Sequence, residues 1–300
     1  FFDTEVYTNK GGFRDSNENN NISKNAIVAF GDSHTFGYGV NYEDTWPSQL
    51  SNKINIDINN IGVPGYSVLS SYLLFKQNIK NLNPKVAIFF NMGSSSRAFC
   101  PKKDRYKQLI PCYYFNENNN IDILLPDKDY YYNSIKKGKY PGAYLSAGYN
   151  FYTYLFFLKP KDFFFRYLDY LKNIFNKSIE KEQVSNCKYA EDCGAYRQSV
   201  FLYEFELFYN LTQNNDFTLI FIDVSGQHKN AKDLILGNND NFWSDENHKT
   251  YFTKNDNFIY LGKEFWVKVG TEISKKDYWE VRVPKDGHFN AIAYEIIAEQ

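Results

Sequence analysis

Methionine is nearly absent from this 300-residue chain, which has a single one, and three further shortages each exclude something. No stretch reaches the roughly 18 uninterrupted apolar residues that a membrane-spanning helix requires. The longest aromatic patch, FYTYLFFL at 151–158, runs at once into Lys159, Pro160, Lys161 and Asp162. Charge of neither sign is in excess: 34 basic residues stand against 35 acidic ones, a formal net charge of -1. Without a basic surplus there is no electrostatic footprint for a polyanion, so no nucleic-acid partner is expected. Cysteine is scarce too, and Cys100, Cys112, Cys187 and Cys193 show none of the Cys-x-x-Cys spacing of redox or zinc sites. Of the four histidines, His228 and His248 lie in the polar stretches HKNAKD and DENHKT and read as solvated residues. No metal and no cofactor is expected.

What is present is aromatic: 19% of the chain is Phe, Tyr or Trp, much of it among Asn and Lys, a mix that reflects codon bias as much as selection. Tyr and Phe clusters are therefore read as packing before they are read as platforms for sugars. Four cysteines allow three pairings. Joining nearest neighbours, Cys100 to Cys112 and Cys187 to Cys193, closes two short loops, each crosslink worth roughly 2 to 3 kcal/mol. Two disulfides imply an extracytoplasmic address, periplasmic or secreted. The chain opens on FFDTEVYTNK without an initiator Met, which leads to the expectation of an amino-terminal signal or membrane anchor ahead of it.

Length favours one large α/β domain carrying an insertion. Residues 1–24, polar and Asn-rich, read as an arm with little regular structure, and residues 25–300 as the domain proper. AIVAF at 26–30 is a short apolar run rich in β-formers, the pattern of a fully buried strand. A helix follows in DTWPSQLSNKI, with Asp44 as its cap and Pro47 in the first turn. INIDINNIG (54–62), KVAIFF (85–90) and FTLIFIDVS (217–225) repeat the strand pattern. SVLSSYLLFKQNIKNL (67–82), YRQSVFLYEFELFYNLTQ (196–213) and HFNAIAYEIIAEQ (288–300) read as helices. Strands alternating with helices predict a parallel sheet covered on both faces. Between the third and fourth strands lie about 125 residues, far beyond what a crossover needs. This insertion, placed at about 96–195, holds all four cysteines and a helix candidate around FFFRYLDYLKNIF. It is expected to form a lid or a substrate wall, since long loops of such folds sit at the carboxyl ends of strands.

The chemistry gathers at strand ends. In AFGDSHTFGYGV (29–40) a serine, Ser33, stands just past the first strand with Gly31 before it and Gly37 and Gly39 behind. That placement presents a hydroxyl at the rim, but a serine hydroxyl needs a base to become a nucleophile. His34 is its sequence neighbour and reads as structural. His288, in VPKDGHFNA, has Asp286 two residues before it, and an imidazole with a carboxylate to fix its tautomer is what a general base requires. Ser33, His288 and Asp286 form the candidate triad.

Three blocks then become recognisable together. GDSHTFGYGVNYEDTWPSQL resembles the first signature block of the SGNH, or GDSL-like, hydrolases. NNIGVPGYS (59–67) resembles their second, glycine-bearing block, and KDGHFNAIAYEIIAE their last. The leading TNKGGFRD (8–15) is similar to the lead-in of larger bacterial members. The resemblance covers about a third of the chain. It implies a flavodoxin-like three-layer α/β/α sandwich and serine-dependent ester chemistry, with Ser33 as nucleophile, His288 as base and Asp286 as its orienter. It also implies an oxyanion hole with the backbone N–H groups of Ser33 and Gly65 as two legs. The family's third block supplies a third donor from an Asn. Here the strand runs into NMGSSSR, so that Ser94 or Ser95 stands where Asn is expected, and Asn91 is the other alternative. Many members place the aspartate three residues before the histidine, where this chain has Lys285. The implied substrate is a small acyl ester, O-acetyl on a carbohydrate among them, with hydrolysis and acyl transfer both open.

Overall fold

A computed structural model of the chain describes residues 4–92, 111–115, 120–126, 189–223, 257–284, 286 and 288–300. The chain divides into two compact units, Phe1–Phe99 with Glu204–Gln300, and Cys100–Tyr203.

The first unit is built on five parallel strands, β3 (Ile27–Gly31), β4 (Ile58–Asn60), β5 (Val86–Asn91), β8 (Thr218–Asp223) and β9 (Phe258–Leu261). Their order in the sheet is β4-β3-β5-β8-β9. Counted along the chain this is second, first, third, fourth, fifth, the flavodoxin-like doubly wound order, in which the strand order reverses beside the first strand and ligand sites lie at carboxyl ends. Alternation along each strand sends side chains to both faces. Ala29, Ile88, Phe90 and Ile222 join one core with Trp46 of α2 (Trp46–Ile54), Val269 and Ile273 of α5 (Lys263–Ser274), and Ala293 and Ile297 of α6 (Ala291–Glu299). Their strand neighbours point the other way. Phe30 stacks on Phe75 of α3 (Val68–Leu82) at 4.4 Å, while Phe89 stacks on Phe208 of α4 (Tyr189–Gln213) at 4.8 Å. The result is three layers, α/β/α.

The aromatic richness thus has a packing use in this unit. Phe30 is fully buried and meets Phe75, Phe89 and Phe208, so Phe30→Ala is expected to cost about 3–5 kcal/mol of stability. Denaturant unfolding monitored by circular dichroism measures it; a loss below about 1 kcal/mol would contradict a rigidly packed second face.

Several elements differ from their sequence expectations. Residues 1–24 contain two short strands, β1 (Tyr7–Thr8) and β2 (Arg14–Asp15), that pair with each other and add antiparallel to β4, Arg14 opposite Asn60. Asp44 does not cap α2. It ends a short 3₁₀ turn, Tyr42–Asp44, and Thr45 is the cap, its extended backbone bringing Oγ1 to the Ser48 N–H at 3.4 Å. Pro47 does lie in the first helical turn. The apolar start of 54–62 belongs to the helix, which runs to Ile54, so β4 is only three residues long. β9 and α5 had no counterpart in the sequence reading. The second unit includes a hairpin of β6 (Cys112–Phe115) and β7 (Ile121–Leu124). The helix candidate around FFFRYLDYLKNIF, the Tyr-rich stretch of the insertion, His228 and His248 lie outside the described residues, as do Cys100 and Cys187.

Candidate active site

Gly31 ends β3 where a side chain has no room: a Cβ there would lie 2.5 Å from Thr35 Oγ1 and 2.7 Å from the Phe90 carbonyl oxygen. The chain then turns at once into α1 (Ser33–Phe36), a single helical turn. Asp32 caps it, its Oδ1 accepting from the His34 N–H at 3.0 Å. At the other end the N–H groups of Gly37 and Tyr38 both donate to the Ser33 carbonyl at 3.0 Å. Ser33 is therefore the first residue of a tightly closed turn at the rim of the sheet, and is 7% exposed.

The second glycine block is stitched to this turn. Asn60, at the end of β4, donates from Nδ2 to the Thr35 carbonyl at 2.8 Å and accepts from the Gly62 N–H at 3.0 Å. Gly62 must be glycine because an added Cβ would lie 2.4 Å from the Phe36 nitrogen. Gly65 owes its identity to something else. Crowding is not the reason, since a Cβ would meet no atom within 4 Å; its φ of +83° is the conformation that side chains disfavour. Among the described residues, the space above its backbone is open.

The third block is a compact loop. Arg282 and Phe289 bridge antiparallel, Val283 N–H donates to the His288 carbonyl at 3.0 Å, and Asp286 N–H donates to Val283 at 2.9 Å. Asn290 caps α6 with Oδ1 and ties the loop's base by donating from Nδ2 to the carbonyls of Glu280 at 2.7 Å and Arg282 at 3.2 Å. So closed, the loop brings His288 to Ser33 across 255 residues of sequence: His288 Nε2 lies 2.8 Å from Ser33 Oγ. On the other side of the ring, Nδ1 is hydrogen-bonded to Asp286 Oδ1, which also accepts from the His288 backbone N–H at 2.9 Å. A carboxylate on Nδ1 holds the proton there and leaves Nε2 as acceptor for the serine hydroxyl.

Two rings of the segment that carries Ser33 pack on this imidazole. The His34 ring centroid is 4.8 Å from that of His288 and the Tyr38 centroid 4.9 Å away. Beneath lies Tyr294, fully buried; burial, with the charge of Asp32 and then Asp286, pushes its phenol far above the ordinary range and keeps it neutral.

The proposed third oxyanion donors divide. Ser94 and Ser95 lie outside the described residues. Asn91 is the last residue of β5, 1% exposed, and its Nδ2 donates to Asp223 Oδ1 at 3.1 Å. Asp223 ends the neighbouring β8 with no exposure at all, and its Oδ2 is 3.5 Å from the Tyr260 hydroxyl. The engagement of the buried Asn91 and Asp223 with each other and with the partly buried Tyr260 is not legible in the sequence, which offers Asn91 only as a candidate oxyanion donor. The signal for its partner is the carboxylate directly after the apolar run TLIFI.

The fold and these side chains define a class: a doubly wound α/β protein with a hydrogen-bonded serine, histidine and aspartate at the carboxyl rim of its sheet. No protein-family model matches the chain. No curated protein does either. Among solved structures, a protein from Desulfitobacterium hafniense DCB-2 named for the lipolytic G-D-S-L family aligns at 14% identity, with 92% of this chain and 97% of that chain covered and a TM-score of 0.42.

Proposed function

We propose that the protein is a serine-dependent carboxyl-ester hydrolase of the SGNH type acting on a small acyl ester. The observation that carries this reading is the line of hydrogen bonds from Asp286 through His288 to Ser33 at the sheet rim. Ser33 Oγ attacks the acyl carbon while His288 Nε2 takes its proton. The resulting oxyanion is met by the backbone N–H groups of Ser33 and Gly65, each such donor worth about 3 kcal/mol in the transition state. Ser94, Ser95 or Asn91 supplies the third. His288 then returns the proton to the leaving alcohol, and the acyl group stays on Ser33. Water releases it as the acid; a sugar hydroxyl would carry it off as a new ester. An O-acetylated carbohydrate is the substrate we favour, with transfer to an envelope polysaccharide sharing the whole first half of the reaction.

A fluorophosphonate probe tests the reading, since it reacts only with an activated serine. Labelling mapped to Ser33 by peptide mass spectrometry is expected. A folded parent protein left unlabelled would favour the alternative, a catalytically impaired SGNH-like domain that binds glycan, which the departure NMGSSSR and the engagement of Asn91 with Asp223 motivate.

An extracytoplasmic address belongs with this proposal, as do the disulfides Cys100–Cys112 and Cys187–Cys193. Intact mass after alkylation checks the latter: no thiol reacts without reductant and four react with it. Four reactive thiols in the unreduced, denatured protein would contradict both bridges.

A further inference from the structure

The arm ahead of the first parallel strand carries a side chain whose placement the ester chemistry above does not use. Arg14, on β2, is 2% exposed. Its guanidinium donates from Nη2 to the Val40 carbonyl at 3.2 Å, from Nη1 and Nη2 to the Glu5 carbonyl at 3.2 Å, and lies 5.3 Å from the centre of the Phe36 ring. Phe36 and Val40 belong to the same segment as Ser33: Phe36 ends α1, and Val40 N–H closes back onto the Gly37 carbonyl at 3.3 Å. The backbone of Arg14 contributes as well. It pairs with Asn60, whose amide holds the Thr35 carbonyl. The arm thus meets residues 36 and 40 directly, and its pairing partner Asn60 holds residue 35.

The guanidinium gives its hydrogen bonds to carbonyls and its face to a ring; burial disfavours its charge and the nearby Glu43 carboxylate offsets this only in part, a cost that an apolar side chain filling the same volume would not carry. What arginine supplies is a planar fork that holds two carbonyls in one geometry while its face lies against an aromatic. Lysine has the charge without the fork.

We propose that Arg14 is a positioning residue for the nucleophile: by fixing Phe36 and Val40 it sets the α1 turn so that Ser33 Oγ stays in line with His288 Nε2. This rests on the reading of Ser33 as the nucleophile. Its consequence is that the amino-terminal arm belongs to the working part of the molecule.

The test compares Arg14→Ala, Arg14→Lys and a control, Leu82→Ala, all at a temperature where each is folded. Leu82 is fully buried and its carbonyl holds Asn25, ahead of β3 and at the end remote from Ser33, so its loss destabilises without touching the turn. Labelling of Ser33 by the fluorophosphonate, and kcat on a small acyl ester, are expected to fall about tenfold or more in Arg14→Ala with KM within about twofold, because a small misplacement of the attacking atom is sufficient for that loss. Arg14→Lys should recover part of it, and Leu82→Ala should match the parent. Hydrogen exchange gives a readout that does not depend on activity: the amides of Gly37 and Tyr38, both bonded to the Ser33 carbonyl, should exchange faster in Arg14→Ala and not in Leu82→Ala. Parental labelling in Arg14→Ala, or unchanged exchange at these two amides, overturns the proposal. An unlabelled parent would remove the esterase reading instead, and the exchange measurement would still decide whether Arg14 holds the turn.

Discussion

Ser33→Ala is expected to lower turnover of a small acyl ester by roughly 10⁴ to 10⁶, and His288→Ala by a similar factor. The size follows from geometry. With Nε2 at 2.8 Å from Oγ, proton removal and carbon–oxygen bond formation can proceed together, and no other hydroxyl among the described residues has an imidazole so placed. Removing either partner leaves only binding and oxyanion stabilisation, and the two losses should not add: the double variant should resemble the worse single one. Steady-state kinetics with a chromogenic acyl ester, using protein checked for unchanged melting, measures this. A loss below tenfold for either residue would take it out of the mechanism.

Asp286→Asn should lower kcat by about 10³ to 10⁴ while leaving the fold intact. Asp286 Oδ1 serves two donors, the ring Nδ1 and the backbone N–H of His288. An asparagine oxygen can still serve the backbone, so the loop closes. Its amide group, turned toward the ring, demands a lone pair on Nδ1 and moves the proton to Nε2, where it blocks acceptance from Ser33. The carboxylate is about 30% exposed, so water replaces it in part, and the expected loss is smaller than that for the serine. A rate within tenfold of the parent would show that Asp286 does not orient the base. The aspartate that does would then have to be sought elsewhere, since the position three before His288 holds Lys285.

Much of this site could be read from local sequence because its pieces are local. The turn after β3 is dictated by Gly31, Asp32 and Gly37 within seven residues, and the Asp286–His288 contact spans two. Apolar runs bounded by polar residues locate β3, β5 and β8 to within two residues, since strands buried on both faces have few other compositions. Where competing local signals overlap, local sequence no longer decides. Thr45, not Asp44, caps α2, because the preceding 3₁₀ turn uses Asp44 first; the short β9 was hidden in FIYL, four residues that alone determine nothing.

The sequence by itself determined the buried strands β3, β5 and β8, the turn that carries Ser33 and the paired histidine and aspartate, all features that neighbours in the chain enforce. Tertiary structure alone decided the contacts that join remote segments. Parallel pairing placed the ends of β3 and β4 side by side, and the closing loop brought His288 back to Ser33. The same packing turned a polar arm into two edge strands with a buried arginine, and bound Asn91 to a carboxylate on the next strand. Periodicity and turn chemistry report which face a residue presents, but not which distant residue waits opposite it. That partner is set by strand order and burial, and these exist only once the sheet has formed.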